Sequence, residues 1–304
     1  MSRQTQPFRP SIFELGGVGR EHLMEIGDLL VLGRAFKARL DAIKKETRET
    51  DFEWYPYDTL SALVHMDRLL AGPHRSLRHL MGDGPVLDIG CGDGDLAFFL
   101  ESLGCRVTAV DHESTNHNGL AGIRRLKDRL GSTVGIAPID LDSQFELPED
   151  NYGAVFLLGV LYHLKNPFYA LEKLSRHARH MILGTALATP ERTPGVPAGA
   201  PVAWLAGENE VNADETNFWI FTEEALRRLI RRAGWETLAF HLTGGADRRA
   251  FCLARSRYGL SNVVLRSGWH EPEESGWRWT EREFSIVARG QRRLRLDFYL
   301  PPEL

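Results

Sequence analysis

Residues 86–95 read Val86-Leu87-Asp88-Ile89-Gly90-Cys91-Gly92-Asp93-Gly94-Asp95. A short apolar run ends in alternating glycines and acids, and a helical pattern begins at once over Asp95–Leu103. The run is too short for a helix and too apolar for a surface strand, so it predicts a buried strand of a parallel sheet. The glycines let the backbone turn sharply and let a ligand press against it without meeting a Cβ. A helix opening there turns unpaired N–H groups toward that ligand. Outward from this point, Arg106–Val110, Val134–Ile139, Ala154–Val160 and Met181–Leu187 read as strands. Helical stretches lie between them, one running to about Leu130 and one over Phe168–Ala178. This alternation predicts an α/β fold, a doubly wound and mostly parallel sheet with helices on both faces. Thr222 then caps a helix, Glu223–Ala233, that Gly234 stops, and strands Glu236–Leu242 and Ala250–Ala254 close the unit.

The flanks differ. Residues 1–20 read as an irregular lead-in. Leu23, Ile26, Leu29, Leu30, Phe36, Leu40 and Ile43 then recur at helical spacing, which predicts one long amphipathic helix or two broken near Gly33. An aromatic, acidic knot at Trp54–Asp58 precedes a second helix of about three turns ending near Leu70. Residues 188–217 carry Pro190, Pro194, Pro197 and Pro201 and read as a lid or binding loop. From about Tyr258 the pattern changes again. Trp269, Trp277 and Trp279 crowd together, and Arg293–Leu300 alternates like a strand. The expected division is an N-terminal helical cap over 1–80, a ligand-binding domain over 81–256 and a β-rich extension over 257–304. So small an extension is expected to dock its aromatic face on the domain before it, or to be the opening of a longer module.

Composition narrows the class. Of 304 residues, 43% are hydrophobic, enough for a real core, and the formal charge of -4 offers no general attraction for a polyanion. The longest apolar run, Ala154–Tyr162, falls far short of the roughly 20 residues a membrane helix needs. Three cysteines without CxxC or His/Cys ligand spacing predict neither a disulfide framework nor a metal site, and point to a reducing cytoplasm.

Asp111 ends the strand after the glycine turn, where a carboxylate can accept both hydroxyls of a ribose. A dinucleotide fold wants a third glycine at position 95; Asp95 stands there and would repel a pyrophosphate. Acids at Asp93 and Asp95 suit a nucleoside ligand with positive charge and no phosphates, and S-adenosylmethionine is such a ligand. Asp88 and the backbone near Gly90, Cys91 and Gly92 are expected to hold its amino-acid part.

With these residues in register, the stretch from about Pro85 to Ser256 resembles class I S-adenosylmethionine-dependent methyltransferases, whose fold is Rossmann-like. The resemblance implies that Asp140 and Leu141 hold adenine, with His112 at the edge of that side. It also implies that the strand leading through Gly159 to Tyr162-His163 ends at the methyl group. A narrower resemblance, to the tRNA wobble-uridine carboxymethyltransferase group, rests on Gly159-Val160-Leu161-Tyr162-His163, Asn217-Phe218-Trp219-Ile220-Phe221-Thr222, Gly234-Trp235 and the knot at Trp54–Asp58. That group uses carboxy-S-adenosylmethionine. Its lysine falls on His65 here and its tryptophan on Leu60, while its late arginine matches Arg248 or Arg249. The lost lysine and tryptophan favour ordinary S-adenosylmethionine. The tail strings Gly268-Trp269-His270-Glu271-Pro272 and Gly276-Trp277-Arg278-Trp279 are similar to a small β module found beside glycan-processing enzymes.

The expected activity is therefore methyl transfer to a hydroxyl of a small molecule or glycan. His163 is the candidate base, set against a turn-capping histidine, and Tyr162 shapes the pocket beside it. Trp54, Tyr55 and Tyr57 either roof the substrate or pack helix on sheet. Three alternatives stay open: the tRNA wobble-uridine reaction, a non-catalytic module that binds S-adenosylmethionine, and a nicotinamide oxidoreductase, which Asp95 disfavours.

Overall fold

The computed structural model describes residues 26–47, 52–70 and 76–258, apart from 198, 212, 213 and 246, together with 263–265 and 286–288. By their contacts the residues form two compact units, one ending at Gly259 and the other comprising Leu260–Leu304. In the first unit the strands are β1 (Val86–Ile89), β2 (Val107–Asp111), β3 (Gly135–Pro138), β4 (Tyr152–Leu158), β5 (Ala178–Ala186), β6 (Ala203–Leu205), β7 (Trp219–Phe221), β8 (Trp235–Leu242) and β9 (Arg249–Ser256). Seven of them make one sheet in the order β3-β2-β1-β4-β5-β9-β8. β1 lies between β2 and β4, all parallel, with Val86 opposite Val107 on one side and Ala154 on the other. β9 runs antiparallel to both β5 and β8. The chain leaves β1 in one direction for β2 and β3 and returns on its other side for β4. That reversal opens a crevice beyond the carboxyl ends of β1 and β4, where α/β sheets bind ligands.

Among the described residues seven helices cover the sheet: α1 (Ile26–Glu46), α2 (Leu63–Leu69), α3 (Leu77–Met81), α4 (Asp95–Ser102), α5 (Ala121–Leu130), α6 (Pro167–His177) and α7 (Glu223–Arg232). Alternate strand residues face opposite layers. Val86, Val107, Ala109, Ala154 and Phe156 join a core with the residues of α1–α5, whereas Leu87, Ile89, Val110, Val155 and Leu157 join one with those of α6 and α7. The buried stripe of α1 is Leu29, Leu32, Phe36 and Leu40, at helical spacing.

Several sequence expectations are refined. α1 runs unbroken through Gly33, because that glycine faces Leu63, whose Cδ1 would lie 2.2 Å from an added Cβ. The second helix is a 3₁₀ turn, Thr59–Ala62, capped by Asp58 and continued by α2. The Pro-rich stretch is not wholly irregular, since β6 pairs antiparallel with β7. Thr222 caps α7 as expected, its hydroxyl accepting from the Ala225 amide at 3.2 Å. In the second unit β10 (Val263–Leu265) pairs antiparallel with β11 (Ile286–Ala288). The tryptophans of the tail, the strand read at Arg293–Leu300 and their docking lie outside the described residues. No helix among the described residues is long and apolar enough to cross a membrane.

Candidate active site

The loop after β1 is built by left-handed glycines. Gly90 and Gly92 have φ of 70° and 55°. A Cβ on Gly90 would sit 2.2 Å from Val160, and one on Gly92 would sit 2.9 Å from the Tyr55 ring, so neither position tolerates a side chain. The loop is held from the next strand. Asp111 Oδ2 accepts from the Gly92 amide and from Asn116 Nδ2, both at 2.9 Å, and Oδ1 accepts from the His112 amide at 2.8 Å. Burial raises the Asp111 pKa, opposed by the hydrogen bonds from Asn116, Gly92 and His112. At the end of β3, Asp140 Oδ1 accepts from the Asp142 amide at 2.9 Å. Leu141 beside it is buried in the core.

Asp88 is the most perturbed carboxylate of the cradle. It is buried, its Oδ2 has no hydrogen-bond partner, and its pKa is pushed up to about 7, chiefly by burial and then by Asp111. An amide contact from Ala97 partly offsets this. The Cys91 side chain is buried in the core and its amide donates to Val110 O, so the residue meets the loop through its backbone.

The acids at 93 and 95 are paired inside the protein, which corrects their reading as partners of a cationic ligand. Lys44 reaches in from α1, with Nζ 2.8 Å from Asp95 Oδ1 and 3.4 Å from Asp93 Oδ2. Asp93 also accepts from the Tyr55 amide and from Asn118 Nδ2, each at 2.8 Å. These contacts tie the aromatic knot to the loop. Trp54 donates from Nε1 to Lys44 O at 3.1 Å and belongs to that packing, and Tyr57 is exposed. Tyr55 instead lies on Gly92. Burial first, then Tyr162 and Asp111, push its pKa up to about 12, so its hydroxyl keeps its proton.

Across the crevice, the 3₁₀ turn Leu161–His163 follows β4. The Tyr162 hydroxyl would lie 3.3 Å from a Cβ on Gly159, and the Tyr162 and His163 rings are 4.4 Å apart. His163 Nδ1 donates to Thr216 O at 3.1 Å and lies 2.9 Å from the Thr216 hydroxyl. Residues 214–219 dock on this turn, with Phe218 N donating to Tyr162 O at 2.8 Å and Trp219 Nε1 to Lys165 O at 3.2 Å. Two stretches that carried the narrower resemblance therefore meet in space. Burial lowers the His163 pKa, opposed by the Thr216 contact and by the charges of Asp214 and Asp111. Arg249 of β9 bonds to Tyr162, whereas Arg248 turns away to Glu223, 3.2 Å distant. His65 stacks on Phe251 with ring centroids 4.0 Å apart, and its pKa is lowered by burial, then by His241, Arg68 and Arg249.

The sequence reading missed Lys44, Asn116, Asn118, Asp214 and Thr216, and left Tyr55 undecided. For Asn116 and Asn118 a signal existed, because asparagines after a strand commonly hold turns. The others act across long sequence separations. Among the described residues no group of three or more His, Cys, Asp or Glu could hold a metal ion.

A model of the methyltransferase domain family matches residues 64–239, more than half of the chain. The chain belongs to that family. No curated protein matches it. Among solved structures, the 1,6-didemethyltoxoflavin N1-methyltransferase of Burkholderia thailandensis, with 1,6-didemethyltoxoflavin and S-adenosylhomocysteine bound, is 18% identical. That match covers 79% of this chain and 92% of that one, with a TM-score of 0.45. Magnesium protoporphyrin IX methyltransferase from Synechocystis, with S-adenosylmethionine bound, is 19% identical over 58% of this chain and 71% of that one, TM-score 0.41. The glycopeptide N-methyltransferase MtfA, in complex with S-adenosylhomocysteine, is 17% identical over 72% and 97%, TM-score 0.45.

The residues present fit S-adenosylmethionine, the donor expected from the sequence. Asp88 keeps an unpartnered, buried carboxylate oxygen, which suits an ammonium group. Asp111 is fixed by three donors with Oδ1 engaged only once, which leaves it a lone pair for a ribose hydroxyl.

Proposed function

We propose that this methyltransferase methylates a hydroxyl of a small molecule or glycan, with His163 as general base. The observation that carries the reading is the state of the His163 ring. Its Nδ1 faces a carbonyl oxygen, which can only accept, so Nδ1 bears the hydrogen and Nε2 the lone pair. Burial favours the neutral ring, which is the form a base needs near neutral pH.

When bound, the donor supplies a methyl group on a cationic sulfur. Asp88 and the backbone of Gly90 and Gly92 hold its amino-acid end, Asp111 its ribose, and Asp140, Leu141 and His112 line its adenine side. Tyr55 covers the loop from above and excludes water, and Tyr162 borders the reacting centre. His163 Nε2 takes the hydroxyl proton as the oxygen becomes the nucleophile. The protein's contribution is alignment and desolvation more than covalent chemistry. No long-range attraction for tRNA supports that acceptor. Arg192 is spent on Asp247 and on two backbone carbonyls, and Lys165 stacks over Phe218. Binding of bulk tRNA is expected to be weak and to collapse at moderate salt. The three cysteines, all free thiols, support a cytoplasmic setting.

One observation favours a second reading. The charge of Arg249 acts on His65, and these two match the late arginine and the lysine of the tRNA wobble-uridine group. A carboxylated donor would need such partners. Mass spectrometry of the ligand retained on purified protein separates the two donors directly. The acceptor is tested by transfer of labelled methyl from S-adenosylmethionine to pools of hydroxylated small molecules and glycans. Tight donor binding with no transfer to any pool would leave a binding module, and a tight, saturable tRNA complex at physiological salt would overturn the favoured acceptor.

A further inference from the structure

Thr216 presents two oxygens to His163 Nδ1, its carbonyl at 3.1 Å and its hydroxyl at 2.9 Å. The carbonyl selects the tautomer with hydrogen on Nδ1. The hydroxyl is ambivalent, because it can accept from Nδ1–H or donate to a bare Nδ1. Its hydrogen decides which tautomer it supports. That hydrogen is taken by Asp214, whose Oδ1 lies 2.6 Å from Thr216 Oγ1 and also accepts from the Thr216 amide at 2.9 Å. With its hydrogen committed there, the hydroxyl can only accept from His163. Both oxygens then select the same tautomer, and Nε2, which makes no hydrogen bond among the described residues, is left as the basic nitrogen.

We propose that Asp214 and Thr216 are positioning residues of the methyl-transfer reaction, Asp214 acting by committing the Thr216 hydroxyl as an acceptor so that His163 is locked as the Nδ1–H tautomer. The proposal rests on the reading of His163 as base. The groups facing the ring are Tyr162 from its own turn, Thr216 and Asp214 from the docked loop, and Asp111 from the end of β2. No cation stands among the charges that act on it. Asp214 sits in a loop and is half-buried, so the device is placed by the docking of 214–219 rather than by the sheet.

The test is the ¹⁵N spectrum of the His163 ring in the full-length protein, with and without S-adenosylhomocysteine. The wild-type ring is expected almost wholly as the Nδ1–H tautomer. Asp214→Ala frees the hydroxyl hydrogen to rotate toward Nδ1, and a tautomer mixture is expected. The double variant Asp214→Ala/Thr216→Val has no hydroxyl left to donate, so the wild-type tautomer is expected to return. Asp214→Asn retains an acceptor oxygen and should keep it too. Transfer to the responding acceptor pool should fall roughly 10-fold in kcat for Asp214→Ala and recover in the double variant, less than the 10²–10⁴ a base itself carries. A wild-type ring with hydrogen on Nε2, an unchanged ring in Asp214→Ala, or no return in the double variant each overturns the proposal. Normal transfer by His163→Asn overturns the base reading and this proposal with it. An inactive His163→Asn beside an unresponsive ring overturns the positioning role alone.

Discussion

The two banks of the crevice are built in opposite ways. On the donor bank, the loop after β1 is braced by Asp111, Asn116 and Asn118, all within about thirty residues of it, and its carboxylates are mostly committed to protein donors. On the acceptor bank, Tyr162 and His163 are fixed by residues from 214–219 and from β9, contributed by a loop and a distant strand. A cradle for a constant ligand can be rigid and local. A surface for a variable acceptor is assembled from segments that change independently of the sheet. The difference predicts that damage on one bank should spare the other.

The largest effect belongs to the acceptor bank. His163→Asn keeps the ring's approximate size and an amide to bond Thr216 but loses the base. Turnover should fall roughly 10²–10⁴-fold with donor affinity unchanged. Steady-state transfer and calorimetry with S-adenosylhomocysteine measure the two halves of that statement. Near-normal turnover would assign His163 to capping its turn.

Next comes Lys44, a long-range strut of the donor bank. Lys44→Met leaves Asp93 and Asp95 buried without their cation, a change that typically costs about 3–5 kcal/mol. Burial already raises the Asp95 pKa and Lys44 is the main influence lowering it. The variant should therefore melt earlier and recover stability in Lys44→Met/Asp95→Asn. Equal melting of wild type and Lys44→Met would show that the strut carries no load.

Lys44 also shows where sequence reasoning stopped. The strand–glycine–helix run, the place of Asp111 at the end of the next strand and the alternation of strands with helices were legible because each depends on neighbours a few residues away or on a period. Asp93 and Asp95 lay inside the motif and were still misread, since their partner is fifty residues upstream on another helix. The pairing of His163 with Thr216 joins two motifs that the chain lists separately, and no periodicity announces a contact between loops.

Asp111→Ala returns to the donor bank with a smaller effect. It removes the ribose acceptor and frees the amides of Gly92 and His112 together with Asn116. Donor affinity should weaken by about 1.5–3 kcal/mol, the scale of charged hydrogen bonds. If calorimetry gives wild-type affinity, Asp111 braces the loop without touching the donor.

The mildest prediction concerns pH. Asp88 ordinarily titrates at 3.8 and in the folded protein at about 7, because burial and Asp111 disfavour its charge. The free folded protein therefore holds a proton at Asp88 that the unfolded chain releases between those values. Its contribution to stability is present below 3.8 and is lost as pH rises through about 7. Donor binding runs the other way. An ammonium group favours the ionised carboxylate, so binding should expel the proton, and affinity should rise between pH 6 and 8 by at most about tenfold per unit. Titrations of S-adenosylhomocysteine in buffers of different ionisation enthalpy count that proton near pH 6. In Asp88→Asn the count should fall to zero and the pH slope should flatten, while turnover at the acceptor bank keeps its own dependence on His163. A proton count unchanged by the substitution would move the titrating group away from Asp88 and leave its buried oxygen without the role given to it.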